Sequence, residues 1–112
     1  MEIDPQVPPS GTGCVECLQA GGWWVHLRRC VACGHVGCCD SSPGQHARAH
    51  YDATGHRVMA SFEPGEDWFH DFVSAETSHG PALAPPSSRP EEQPVPGPAG
   101  AVPDNWRSLI HR

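Results

Sequence analysis

Cys14-Val15-Glu16-Cys17 and Cys30-Val31-Ala32-Cys33 are two CxxC units, followed by Cys38 and by His46, His50 and His56. Thiolates and imidazoles at these spacings are zinc chemistry, since a CxxC turn brings both sulfurs to one ion. All six cysteines and five of the eight histidines lie between residues 14 and 56. Eight donors make two tetrahedral sites with no open position, the arrangement of structural zinc. Disulfides are the rival use of an even cysteine count. The leading residues MEIDPQVPPSGTG carry neither the basic patch nor the apolar run of a signal peptide, and no stretch approaches transmembrane length. A cytoplasmic chain keeps its thiols reduced. The expectation is therefore a cytoplasmic, zinc-loaded protein with two ions and no membrane association.

Spacing leaves the sharing of ligands open. The two CxxC units could hold one ion between them, leaving Cys38 and the three histidines for the other. Alternatively the units separate, each completed by later donors. His46 and His50 lie four apart on one helical face and could share an ion. Cys39 directly follows a ligand; neighbours in a strand point to opposite sides, so it is read as a buried or partly exposed thiol. His35 is either an orienting partner of a ligand or a turn histidine. Catalysis finds little support. His46-Ala47-Arg48-Ala49-His50 has the spacing of a zinc-protease helix, but Ala47 stands where the general base would be. Full coordination leaves no place for an activated water. Cys14 and Cys17 also lack the preceding strand of a thioredoxin-like pair. The chain is not expected to be an enzyme.

The rest of the sequence must position these donors. At 112 residues there is room for one domain, and thirteen prolines and twelve glycines reduce the part that can form a core. The expected organisation is a flexible N-terminus over 1–10, a globular unit over 11–77, a Pro-rich linker over 78–103 and a short C-terminal segment over 104–112. The linker holds eight of the prolines. Within the globular unit, the CxxC units read as tight knuckles. Strands are expected over 23–28, 35–38, 57–62 and 67–73, with a helix over 45–53 stopped by Gly55. In the last segment Asp104 is placed to cap a turn carrying Trp106, Leu109 and Ile110. That turn could dock back, serve as a linear motif or fray. The net charge is −6, with seven arginines and no lysine. An acidic chain of this kind argues against nucleic acid as a partner.

Residues 14–70 resemble the UBP-type zinc finger, the ubiquitin-binding finger of certain deubiquitinating enzymes and deacetylases. The residues that carry the likeness are CxxC, Trp24 within WWVHLRRC, CVACGHVGC, the His46-x3-His50-x5-His56 series with TGH at 54–56, and the aromatics at 68–70. The resemblance implies an α+β fold, a small zinc-stabilised unit with a twisted antiparallel sheet and one or two helices. It also implies the crossed ligand sets: Cys14, Cys17, Cys38 and His46 at one ion, Cys30, Cys33, His50 and His56 at the other. In that family the finger takes the free C-terminal Gly-Gly tail of ubiquitin. By resemblance the tail pocket would involve Trp24, Asp40, Trp68 and His70, and the partner would be the C-terminus of ubiquitin or another Gly-Gly-ended protein. Asp40 stands where the family has an arginine, which puts a carboxylate opposite a carboxylate ligand. Arg28, Arg48 and Arg57 are the candidates to replace the cation. Losing tail recognition altogether would leave a zinc-stabilised adaptor working through its sheet face or its C-terminal tail. Trp23 reads as core, and Trp24 and Trp68 as core or pocket.

Overall fold

A computed structural model describes residues 5–111; residues 1–4 and 112, the ends of the expected N-terminal and C-terminal segments, lie outside the described residues. Its elements run α1 (Val15–Ala20), β1 (Leu27–Cys30), β2 (Val36–Cys38), α2 (His46–Thr54), β3 (Val58–Ser61), β4 (Trp68–Asp71) and β5 (Thr77–His79), with a short 3-10 turn at Trp106–Ser108. The strands form one antiparallel sheet in the order β2-β1-β3-β4-β5. This is a small α+β fold of two helices and five strands among the described residues.

The first CxxC unit is not an isolated knuckle but the start of a helix. Cys14 caps α1, its Sγ accepting from the backbone N–H of Cys17 at 3.5 Å, and Gly21 closes the helix in the left-handed region. The helix places both sulfurs on the turn nearest β2. α2 begins at His46 and ends at Gly55, whose N–H donates to the Tyr51 carbonyl at 2.8 Å. It lies flat on β2, so close that a Cβ on Gly37 would come within 2.7 Å of the Ala47 nitrogen. Only glycine permits that approach. Gly34, at φ +82°, ends the second CxxC unit, and a Cβ there would strike the Pro8 carbonyl.

The expected strand over 23–28 forms later, at Leu27–Cys30, because residues 23–26 find backbone partners outside the sheet. Trp24 exchanges both of its backbone bonds with Gly97, at 2.8 and 3.0 Å, and the Val25 N–H donates to Ser42 Oγ at 2.9 Å. β3 and β4 are shorter than the hydrophobic runs that suggested them. β5 is polar and exposed along its length, so no burial pattern marked it in the sequence.

The two sheet faces are covered by different means. α2 lies on the side of Arg28 and Met59. On the other side Val31, Val58, Ala60 and Phe69 form a cluster against which Leu83 packs. Residues 80–97 thus run across the sheet rather than away from it. The buried Arg29 guanidinium donates to the carbonyls of Ala84 (2.9 Å), Pro86 (3.2 Å) and Val7 (2.7 Å), holding both the N-terminal segment and the Pro-rich segment. Arg89 sits 2.9 Å from Glu63, whose other oxygen lies 2.9 Å from His26 Nδ1. Burial raises the Glu63 pKa, but the His26 and Arg89 contacts outweigh it and hold the carboxyl below its ordinary value. A proline-rich chain makes few hydrogen bonds within itself; here its free carbonyls are taken by a buried arginine. Near the C-terminus, Asn105 rather than Asp104 precedes the 3-10 turn, without a side-chain cap. The Arg107 guanidinium lies 4.5 Å from the Trp106 ring centroid, and the His111 N–H donates to the Ser41 carbonyl at 3.0 Å.

Candidate metal centres and the adjoining cavity

Three elements converge on the first cluster. Cys14 and Cys17 come from α1, Cys38 from the end of β2 and His46 from the first residue of α2. His46 Nδ1 lies 3.2 Å from Cys14 Sγ and 3.4 Å from both Cys17 Sγ and Cys38 Sγ; the Cys17 and Cys38 sulfurs are 3.9 Å apart. A tetrahedron with zinc–sulfur arms has edges of about 3.8 Å, so the spacing fits one ion. The sulfurs are buried in the core beside Trp24, Leu27, Val36 and Phe62. Hydrogen bonds from Cys14 and Cys17 pull the Cys38 thiol down to about 2. The Cys17 contact lowers Cys14, but the Cys38 contact and burial outweigh it and push Cys14 up to about 12. Cys17 is raised as well, by its Cys14 and Cys38 contacts and by burial. A divalent cation binds thiolates, so its arrival would displace the remaining thiol protons of the cluster.

The second cluster gathers Cys30 from β1, Cys33 from the following turn, His50 from mid-α2 and His56 from just before β3. Cys30 Sγ lies 3.6 Å from His56 Nδ1, and Cys33 Sγ 3.3 Å from His50 Nε2. Burial, then His35 and His56, lowers the His50 pKa, which favours the neutral, metal-binding imidazole. Cys33 is exposed. In each cluster the four donor atoms all lie within 4.8 Å of one another. Each could hold a zinc ion, and the donor set of thiolate and imidazole suits zinc.

Between the clusters, His35 Nε2 lies 2.8 and 2.9 Å from the two Glu16 oxygens, and its ring stacks on His50 at 4.1 Å between centroids. Cys39 joins neither cluster; it is buried, with its Sγ 3.4 Å from Ser42 Oγ.

Beyond the clusters, a cavity of about 470 Å³ opens between the 39–48 stretch and the sheet. Arg28, Met59, Trp68, His70 and Thr77 line it from the strands, and Cys39, Asp40, Ser41 and Arg48 from the other side. Three of the four residues expected in a tail pocket, Asp40, Trp68 and His70, are thus brought together. Trp24 is not. At 2% exposure it is core, packed against the first cluster, while Trp23 keeps partial exposure. Of the two readings of Trp24 the core one holds and the pocket one does not, its backbone being bridged to Gly97, while Trp23, expected in the core, is only partly buried. Of the arginines proposed to replace the family cation, Arg28 and Arg48 line the cavity. Arg57 does not; it is paired with Asp71 at 2.9 Å. Arg48 is held by Asp40, with Nη2 to Oδ2 at 2.6 Å and Nε to the two oxygens at 3.1 and 3.2 Å. Arg28 lies 4.5 Å over the Trp68 ring and donates to the Leu27 carbonyl at 3.1 Å. Among the described residues Arg28 pairs with no carboxylate. Met59 and Thr77 were not foreseen as lining residues. Met59 could have been, since it alternates with the buried Val58 and Ala60 along β3.

Comparison with known proteins follows the same outline. The sequence model of one family, the zinc finger in ubiquitin hydrolases and other proteins, matches residues 14–82. The chain is also similar to a protein of Rhodopseudomonas palustris with a solution NMR structure. The two share 44% identity and a TM-score of 0.64, over 81% of this chain and 85% of the other. No curated protein matches. Among the described residues no helix is long and apolar enough to cross a membrane.

Proposed function

This chain belongs to the family of zinc fingers found in ubiquitin hydrolases and other proteins, and we propose that it is a zinc-stabilised protein-interaction module. In this reading it takes a free protein C-terminus, Gly-Gly-ended or similarly slender, in the cavity beside α2. The carrying observation is Arg28: a guanidinium on the cavity wall, stacked on Trp68 and without a carboxylate partner among the described residues. A terminal carboxylate needs a cation and N–H donors, and Arg offers both in one plane. Trp68 then supplies the flat surface on which a side-chain-free tail lies. Asp40 is consistent with this role, because its charge is already matched by Arg48 rather than turned unpaired toward the ligand. In this reading the protein performs no catalysis of its own, since four protein donors to each zinc would leave no position for water.

The test is a titration of the zinc-loaded protein with a Gly-Gly peptide bearing a free carboxylate, followed by tryptophan fluorescence, with the amidated peptide as control. The free acid should bind and the amide should not. Arg28→Ala should weaken binding about tenfold or more, since a hydrogen bond to a charged group contributes about 1.5–3 kcal/mol. Equal behaviour of acid and amide sinks this reading. It would favour an adaptor that lost tail recognition when Asp40 entered.

A further inference from the structure

We propose that the second metal cluster is an oxidant-triggered zinc donor: peroxide links Cys30 to Cys33 and releases the ion held there, while the first cluster keeps its own. The proposal rests on the unequal enclosure of two otherwise similar donor sets. In the first cluster every sulfur is sealed in the core, with Cys14 and Cys38 at 0% exposure and Cys17 at 2%. In the second, Cys33 is exposed and both histidines are half-buried. Oxidation of a thiolate follows its exposure, and a zinc-bound sulfur is already a thiolate.

The geometry supplies the resolving partner as well. Cys30 and Cys33 bracket a single turn, closed by the Gly34 N–H donating to the Cys30 carbonyl at 2.8 Å. The two sulfurs lie within 4.8 Å of one another, and positions three apart in a turn hold their Cα atoms under about 7 Å, near the roughly 4.4–6.8 Å of a disulfide. Cys39 offers no shortcut, being buried beside Ser42 and outside both clusters.

The step balances. The Cys33 sulfur attacks one peroxide oxygen; an S–O bond forms, the O–O bond breaks and hydroxide leaves. The Cys30 sulfur then attacks the sulfenic sulfur; the S–S bond forms, the S–O bond breaks and a second hydroxide leaves. The two sulfurs together give up an electron pair, and the peroxide takes it. His50 and His56 remain, two neutral donors that hold zinc far more weakly than the full set. The ion departs as a divalent cation. None of this depends on what the neighbouring cavity binds.

The experiment treats the full, zinc-loaded chain with hydrogen peroxide, follows free zinc with a chromogenic chelator and maps the cysteines without reduction. Zinc should leave in one fast phase, with any later loss from the first cluster forming a separate, slow second phase. The first phase should account for half the metal, run at least about tenfold faster than any second, and coincide with a Cys30–Cys33 link. A thiol reductant plus zinc should restore it. Cys39→Ser should leave the first phase unchanged. Release of both ions in one phase, an early link between Cys14 and Cys17, no release, or loss of the first phase in Cys39→Ser would each overturn the proposal.

Discussion

The two clusters use the same donor types, yet one is part of the core and the other is a clamp on its surface. At the first, three sulfurs and one imidazole sit under Trp24 among Leu27, Val36 and Phe62. The ion position occupies the place that apolar side chains would fill in a larger domain. At the second, two sulfurs and two imidazoles join the turn after β1, the middle of α2 and the approach to β3, with Cys33 at the surface. A domain this small gains little from burial alone. The difference teaches that metal can serve it in two ways: replacing missing core, and tying the middle of α2 to the turn after β1 and the approach to β3.

The largest expected effect comes from removing a ligand on each side. Structural zinc contributes roughly 10–16 kcal/mol in small fingers, comparable with or above the whole stability of a typical domain. Cys38→Ser should therefore leave the chain unfolded by circular dichroism. Cys33→Ser should lose half of the bound zinc yet keep a cooperative, though weaker, urea transition. Unfolding to the same extent in both variants would erase the distinction between core and clamp. A smaller effect sharpens it. Trp24→Ala opens a cavity against the first cluster and should cost about 3–5 kcal/mol, read from the urea midpoint. Trp23→Ala, at a partly buried position, should cost less. The reverse order would mean that Trp24 is not what roofs the first site.

The donors themselves were legible in the sequence, because a ligand is a residue type and zinc accepts few types. So was α2, whose start and stop are written locally around His46 and Gly55. The sharing of ligands was not written in the spacing, since two CxxC units look alike until one is known to start a helix and the other to end a strand. Trp23 and Trp24 are likewise neighbours in a run of apolar residues; a bridge to Gly97, seventy-three positions away, decides which turns inward. The same holds for residues 80–97. Their composition describes a chain that makes no structure by itself, and that is accurate locally. What orders them is the buried Arg29, whose carbonyl partners are spread over both ends of the protein. Arg28 at the cavity was within reach of sequence reasoning, but its separation from Arg48 and Arg57 depended on where Asp40 and Asp71 lie.

The finest test asks whether the two clusters are separate at all. Among the described residues a polar link passes between them. Glu16 Oε1 lies 3.9 Å from Cys14 Sγ, Glu16 meets His35 Nε2 at 2.8 Å, and His35 stacks on His50. His35→Phe keeps the stack on His50 and removes the contact with Glu16. That contact is partly solvated on the carboxylate side, at 41% exposure, so its loss should cost less than about 1 kcal/mol. Both zinc ions should remain, and the urea midpoint should move only slightly. If His35→Phe instead loses metal from both sites together, the stability of each cluster passes through this histidine, and core and clamp are one unit.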